Sequence, residues 1–369
     1  MAPAPSASWN RFAPAPRPLA AALLALLAAL MLIGVIGGGD GARVAGAGAG
    51  SMRAESGLIG DHALYANVLH RVEAGESYYT AVAAEHRAND YPLKPFMTVR
   101  LPTLMMIVAT IGVPAAMALG LLAGVVAVST WRQRIRSEPG LPRYASLAAL
   151  FIAVNLSQLT ERAWVLMHEA VTGALIALAL ALYRPARPWA PMAVAGVAVA
   201  IRETALPVAM LFGLFALIDR DWRAAAGWAA LGLAFLAVLA AHIAALAAVT
   251  VPTDLASPGW SGLGGWATYV AFVHETSILR FTPMWTAALL VPLALLGWAS
   301  WRSRLGLAGL GVQLIYALLL MLFARPDNFY WGMLIAPTLF IGLAFAPAAV
   351  TALIRALGPG RLHPAAMPN

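Results

Sequence analysis

Cysteine is absent from all 369 residues, and charged residues make up only 11% of them. The first absence excludes disulfides, Fe–S clusters and thiolate zinc sites, and leaves the redox compartment undetermined. The second excludes an ordinary soluble domain, in which about a quarter of residues carry charge. Apolar residues fill the space: 61% of the chain is hydrophobic and its mean hydropathy is +0.78. Composition therefore predicts an all-α, polytopic membrane protein. The net charge of +8 comes almost wholly from arginine. On such a chain a basic excess marks cytoplasmic loops and anionic membrane lipid, so nucleic acid is excluded as a partner.

Apolar runs near the ~20 residues that cross a bilayer fall at about 18–36, 101–130, 144–160, 163–183, 226–248, 283–300, 305–324 and 332–354. The first follows Arg11 and Arg17 and is too long for a signal-peptide core, which reads as an uncleaved span; the small residues Ala45 to Gly50 leave a cleavage site open. Segment 189–218 breaks the pattern, with Arg202-Glu203 near its middle and Pro207 just after. One helix there would bury an ion pair, whereas two short helices make a hairpin that re-enters from one face. The positive-inside rule favours the hairpin. With the N-terminus inside, WRQRIR at 131–136, RPARP at 184–188, DRDWR at 219–223, WRSR at 301–304 and RALGPGR at 355–361 then share the cytoplasmic side. About ten membrane segments result, in a single domain without an internal repeat.

Segments 37–100, 249–282 and 325–331 then face outward. Residues 37–57 are rich in Gly and Ala and read as a flexible link, and 356–369 as a disordered tail. From Asp61 to about Arg87, Leu64, Val68, Leu69 and Val72 repeat at helical spacing, which predicts an interfacial helix with Tyr78, Tyr79 and Tyr91 at headgroup depth.

The order of these pieces resembles a known family. One span is followed by Asp61 and Tyr65, GESYY at 75–79 and YPLKPFMTVRLPTL at 91–104. Further on come HEAVTGALIALALALYR at 168–184, AVAIRETALPVAM at 198–210 and PDNFYWGMLIAPTLF at 326–340. Together they resemble the GT-C superfamily of integral-membrane glycosyltransferases. The resemblance implies a transmembrane bundle that takes sugar from a polyprenyl-phosphate carrier. It also implies an essential carboxylate in the first external loop and a short helix pair with a basic residue at its break. The acceptor would be a glycan, a lipid or a protein, and the site would face the periplasm or exterior of a bacterial inner membrane. The chain departs from many members in having one acid where they pair two.

The residues allow more than one role. Asp61, just beyond the first span, can serve as the base for an acceptor hydroxyl or as a helix N-cap; Asp40 is the rival acid. Arg202 suits a phosphate by its fork of donors, and with Glu203 it also suits a structural pair. Arg100 reads as an interfacial anchor or a phosphate ligand. His168 and Glu169 sit one turn inside a span as substrate contacts, or as a core histidine and a partner of Arg162. His274, Glu275 and Arg280 suit either an interfacial helix or acceptor and phosphate contacts. Asp327 and Asn328 can orient sugar hydroxyls while Tyr330 and Trp331 stack on a ring; a tight turn with an aromatic belt is the other account. His62, His70 and His86 lack the carboxylate pair a zinc site needs. Mg2+ bound loosely between Asp61 and a phosphate stays open as a cofactor. GGGD at 37–40 and GLGG at 262–265 lack the context of a phosphate-binding loop, which argues against a nucleotide-sugar donor. A lipid or small-solute transporter, or a non-catalytic membrane subunit, are the alternatives to the enzyme.

The charge bias yields a topology test. Single cysteines in this cysteine-free chain, Arg187→Cys, Thr204→Cys and Ala224→Cys, are expected to react with an impermeant thiol reagent from inside, outside and inside. Labelling of 187 and 224 from opposite faces would rule out the hairpin.

Overall fold

The computed structural model describes residues 9–46, 60–138, 140–160, 162–260 and 262–358. Every regular element among them is helical, and the only ladder pairings are two isolated bridges, Asn10 with Trp301 and Lys94 with Ala256. The principal helices are α1 (Arg17–Gly46), α2 (Asp61–Glu73), α3 (Tyr78–Ala88), α4 (Thr103–Ile111), α5 (Val113–Ser137), α6 (Leu147–Leu156) and α7 (His168–Leu182). They continue with α8 (Trp189–Ile201), α9 (Leu206–Ile218), α10 (Trp222–Ala247), α11 (Gly265–Glu275), α12 (Met284–Ser300), α13 (Arg304–Phe323) and α14 (Ala346–Leu357). Among the described residues four helical stretches are long and apolar enough to cross a membrane: Arg17–Gly38, Val113–Ser137, Trp222–Ala247 and Arg304–Phe323. A fifth arises if the bent pair Ala336–Ala344 and Ala346–Leu357 counts as one span. Their outer faces carry exposed Leu32, Leu122, Leu233 and Leu318, a surface suited to lipid.

Several expected spans are broken, each for a local reason. The run 101–130 divides at Gly112, whose φ of 81° only glycine adopts cheaply. The run 332–354 is a chain of short helical turns that bends by 48° before α14; Pro337 and Pro347 each start a new turn. The single interfacial helix expected over 61–87 is two helices, since Gly75 takes φ 96° and Ser77 caps α3 by accepting from the Thr80 backbone N–H at 3.3 Å. Tyr78 is buried within the protein and donates to the Arg100 carbonyl at 2.7 Å. The expected glycine link begins later than 37, because α1 continues to Gly46. Gly34 and Gly37 let that helix lie on α12 and α11, where a Cβ on Gly37 would come within 2.7 Å of Ala267 Cβ. Residues 47–59 and 359–369, which take in the rest of the link and most of the tail, lie outside the described residues.

One end of the bundle is fastened by the residues preceding α1. Arg11 N–H donates to the Ser300 carbonyl and Arg302 N–H to that of Trp9, both at 2.7 Å. Trp9, Trp298, Trp301 and Phe345 pack as neighbours there. Arg304 pairs with Asp219 at this end, and Arg223 lies over the Trp189 ring. The 20 residues of α13 rise ~30 Å from there, and its far residues Leu319, Leu320 and Phe323 line a large cavity. Pro188, before α8, and Asp219, after α9, share a small cavity with Tyr183 and Trp228. Arg202, Glu203 and Thr204, between the two helices, line the large one.

Backbone contact locks the centre. A Cβ on Gly297 of α12 would lie 1.8 Å from the Gly342 carbonyl oxygen, and one on Gly342 1.9 Å from that of Ala294. Trp298 Nε1 beside them donates to the Thr338 and Leu339 carbonyls at 3.1 and 3.2 Å. Gly297→Ala is therefore expected to overpack this contact and cost ~1–3 kcal/mol, read as a lower Tm of the detergent-solubilised protein. Gly120→Ala in α5, where nothing lies within 4 Å, is the control and should leave Tm unchanged or slightly raised.

Candidate functional site

The large cavity has a volume of about 790 Å³, within the range of small-molecule sites. Asp61, Tyr65, Arg100, Arg202, Glu203, Asn328 and Tyr330 all border it. An apolar stretch of its wall is formed by Met97, Leu206, Pro207, Met210, Leu319 and Phe323. Met97, Met210 and Phe323 are 40%, 65% and 45% exposed, so this wall continues onto the outer apolar surface between the 91–99 loop, α9 and α13.

Asp61 is the first residue of α2, and Gly60 before it is extended and holds the cap position. The N-cap role is thereby corrected. The Asp61 carboxylate instead accepts from the Tyr91 hydroxyl at 2.7 Å through Oδ1. α2 is held at this depth by Leu64, Val68 and Leu69, which are buried. It is tied to α3 by Arg71 Nε and Asn67 Nδ2 donating to the two oxygens of Glu85 at 2.5 and 3.1 Å. Burial opposes the Glu85 charge, yet those bonds hold its carboxyl below the ordinary range.

Deeper in the wall lies a cluster of four charges. Glu169 is fully buried on the first turn of α7, and its Oε1 accepts from Arg202 Nε at 2.8 Å. Arg100 reaches the same oxygen at 3.3 Å with a second guanidinium, and Arg202 also pairs with Glu203. Glu169 is thus the partner of Arg100 and Arg202; the side chain of Arg162, with which pairing was expected, lies outside the described residues. Neither Glu169 nor His168 forms part of the cavity wall; His168 is buried with its ring 5.5 Å from that of Tyr65. Arg100 NH2 also donates to the Tyr330 hydroxyl at 3.1 Å, and Asn328 Nδ2 approaches that hydroxyl at 3.4 Å. Burial raises the Tyr330 phenol above its ordinary pKa and the Tyr65 phenol well above it, so both keep their protons as donors.

Other expected residues are elsewhere. His274 is tied to Glu275 at 3.0 Å and to the Thr282 carbonyl at 2.8 Å, and the Arg280 guanidinium lies 4.7 Å from the Phe281 ring centre. None of the three lines the cavity; the helix carrying His274 is buried along Tyr269–His274. The side chains of Asp327 and of the rival acid Asp40 lie outside the described residues. Among the described residues no three His, Asp or Glu side chains converge on a metal position.

The structure adds His62, Tyr91, Trp164, Ser257, Trp260 and Arg325 to the wall. Arg325 donates to Ser257 Oγ at 2.8 Å and the Gly259 carbonyl at 3.1 Å, and its guanidinium stands 5.6 Å from the Trp260 ring centre. In sequence Arg325 stands only as the first residue of the outward segment 325–331, and the loop 249–264 has no period to read. That loop is fixed from below by Arg87, which donates to both oxygens of Asp254 at 2.7 and 2.9 Å, and by Leu93 N–H bonding the Leu255 carbonyl at 3.0 Å.

No family model matches this chain, nor does any curated protein or solved structure. The functional reading rests on the geometry of the cavity.

The Arg87 hydrogen bonds hold Asp254 down from an ordinary 3.8 to about 2. A depressed carboxylate contributes stability that is complete above its unfolded pKa and is lost as pH falls through the folded one, here between about pH 4 and 2. Asp254→Asn is expected to lower Tm at pH 7, with the gap to the parent closing across that window. A pH-independent gap would mean that the ion pair is not what fastens this loop.

Proposed function

We propose that this chain is a multi-pass membrane glycosyltransferase of the GT-C type, moving a sugar from a polyprenyl-phosphate carrier to an acceptor on the non-cytoplasmic face. One observation carries the reading: Asp61, Arg100 and Arg202 border a single cavity whose wall also has an apolar stretch, and Met97, Met210 and Phe323 of that stretch are exposed on the outer surface. A lipid-borne sugar has that division, with a phosphate and a ring at one end and a chain at the other. The apolar wall takes the prenyl chain, Arg100 and Arg202 take the phosphate, and the rings of Tyr330, Trp260 and Trp331 supply faces for the sugar.

The chemistry follows from placement. The acceptor oxygen attacks the anomeric carbon, the bond from that carbon to the phosphate oxygen breaks, and the acceptor proton passes to Asp61. The Tyr91 hydroxyl occupies one carboxylate oxygen and leaves the other for that proton. The phosphate leaves as an anion toward the arginines, whose placement stabilises it as charge develops. The acceptor is a glycan, lipid or protein hydroxyl. Mg2+, if bound, would lie between Asp61 and the phosphate, with Glu203 the other carboxylate on the wall, and no step above is routed through it.

The same reading takes 189–218 as a re-entrant hairpin and the bundle as about ten membrane segments. Its support is that Pro188 and Asp219 share one cavity while Arg202 borders another. The basic ends around Arg11, Arg223 and Arg304 gather on the side away from the site, as cytoplasmic loops do. A transporter is the second reading, favoured by the neutralised charge cluster at a helix break.

Asp61→Asn separates them. Purified protein assayed with a panel of polyprenyl-phosphate sugars is expected to lose transfer by ~10² or more in this variant, with Tm unchanged. Normal turnover in Asp61→Asn would remove Asp61 as the base, and absence of transfer by the parent alongside flux of the same lipids across vesicles would favour the transporter.

A further inference from the structure

Two carboxylates share Arg202, and they sit differently. Glu169 is 0% exposed, belongs to the regular helix α7 and stands behind the cavity wall. Glu203 keeps 19% of its side chain exposed and forms part of that wall. It lies on the single turn Glu203–Ala205 after an extended Arg202, at φ −146° and ψ 116°, so no regular helix holds it. A carboxylate on a guanidinium at a cavity wall marks a position that an anion fits.

Charge counting shows what must happen there. Arg100 and Arg202 are matched by Glu169 and Glu203, so the cluster offers an incoming anion no net attraction. Adding a phosphate while both carboxylates stay would crowd three anions around two cations at low dielectric, which is costly. One carboxylate must give way. Glu169 has no route to water, and its departure would leave two guanidiniums facing each other. Glu203 already faces the cavity.

Resting on the lipid-phosphate reading of this cavity, we infer that Glu203 is an internal stand-in for the substrate phosphate. It occupies the anion seat on Arg202 until a lipid phosphate displaces it, while Glu169 remains as the fixed support that holds Arg100 and Arg202 together. The two acids therefore act on affinity with opposite sign. Glu203 competes with the ligand, and Glu169 builds its receptor.

Geranyl phosphate, with geraniol and inorganic phosphate as companions, tests this on the purified full chain. Trp164, Trp260 and Trp331 border the cavity, so intrinsic fluorescence reads occupancy. Geranyl phosphate is expected to bind the parent more tightly than geraniol does. Glu203→Gln should tighten it by about tenfold, because the fraction of seats already free rises. Glu169→Gln should weaken it by about tenfold or more, and geraniol should respond to neither change. Glu203→Ala repeats the first measurement without an amide that can still accept from Arg202. Equal or weaker binding in both Glu203 variants would overturn the stand-in and leave the transferase reading in place. Geranyl phosphate no better than geraniol on every protein would overturn both. Inorganic phosphate binding as tightly as geranyl phosphate would overturn the lipid assignment. Unchanged elution of all variants and unchanged Tm of the two Glu203 variants serve as the fold control; Glu169→Gln is expected to elute like the parent with a lower Tm, since it removes a buried ion-pair partner.

Discussion

A single carboxylate oxygen, Glu169 Oε1, holds Arg100 and Arg202 from opposite ends of the sequence order around it. Removing one partner from such a buried pair costs ~3–5 kcal/mol, because the other charge is left uncompensated. The pairing therefore fixes three pieces of chain at once: the loop entering α4, the first turn of α7 and the break between α8 and α9. Each of these brings further residues with it. Arg100 sets Tyr330 by a hydrogen bond, and its carbonyl receives Tyr78 from α3. Through α3 and Arg87 the same order extends to the loop carrying Ser257 and Trp260.

The rest of the fold packs around the buried side of that cluster, where Glu169 and His168 are 0% exposed. Lipid offers helices no hydrophobic reward for meeting each other, so close approach and hydrogen bonds must do it. The glycines at 34 and 37 of α1 and at 297 and 342 in the centre allow that approach, and indole N–H groups of Trp131, Trp266 and Trp298 spend themselves on helix carbonyls. Large apolar side chains point outward in compensation, as Leu233 at 68% and Ile36 at 72% exposure show.

Much of this was legible in the sequence. The helical class followed from composition, and the long helices α10 and α13 follow apolar runs close to their observed ends, whereas α5 begins only after Gly112 divides the run 101–130. Segments 61–104, 198–210 and 326–340 were marked by polar and aromatic residues stranded among apolar ones, and all three meet at the cavity. Less legible was which partner each charge takes. Glu169 and Arg100 are 69 residues apart by their numbers, and nothing local in either stretch announces the pair. Asp61 read equally as a cap because its neighbour Gly60 shows its extended backbone only in the fold. Arg325 and Trp260 were passed over because a loop without period carries no sign of what it faces.

The two walls of the cavity have different origins in the chain, and that difference bears on the ligand. Beside Met97 of the 91–99 loop, the apolar wall comes from continuous helices: Met210 from α9, and Leu319 and Phe323 from α13. The polar wall comes from interruptions: the entry to α2, the break at 202–205 and the 3₁₀ stretch 326–334. An interrupted helix frees backbone donors and acceptors that lipid cannot satisfy, so such breaks persist only beside protein, water or a polar ligand. A continuous helix has none to offer and presents side chains alone. The lipid phosphate proposed for this cavity is divided in the same way, with a polar part for the breaks and an apolar part for α9 and α13. On the proposed reading, a phosphate at the Arg202 break would lie where the chain itself has already placed a carboxylate, and the prenyl tail would run from there along α9 and α13.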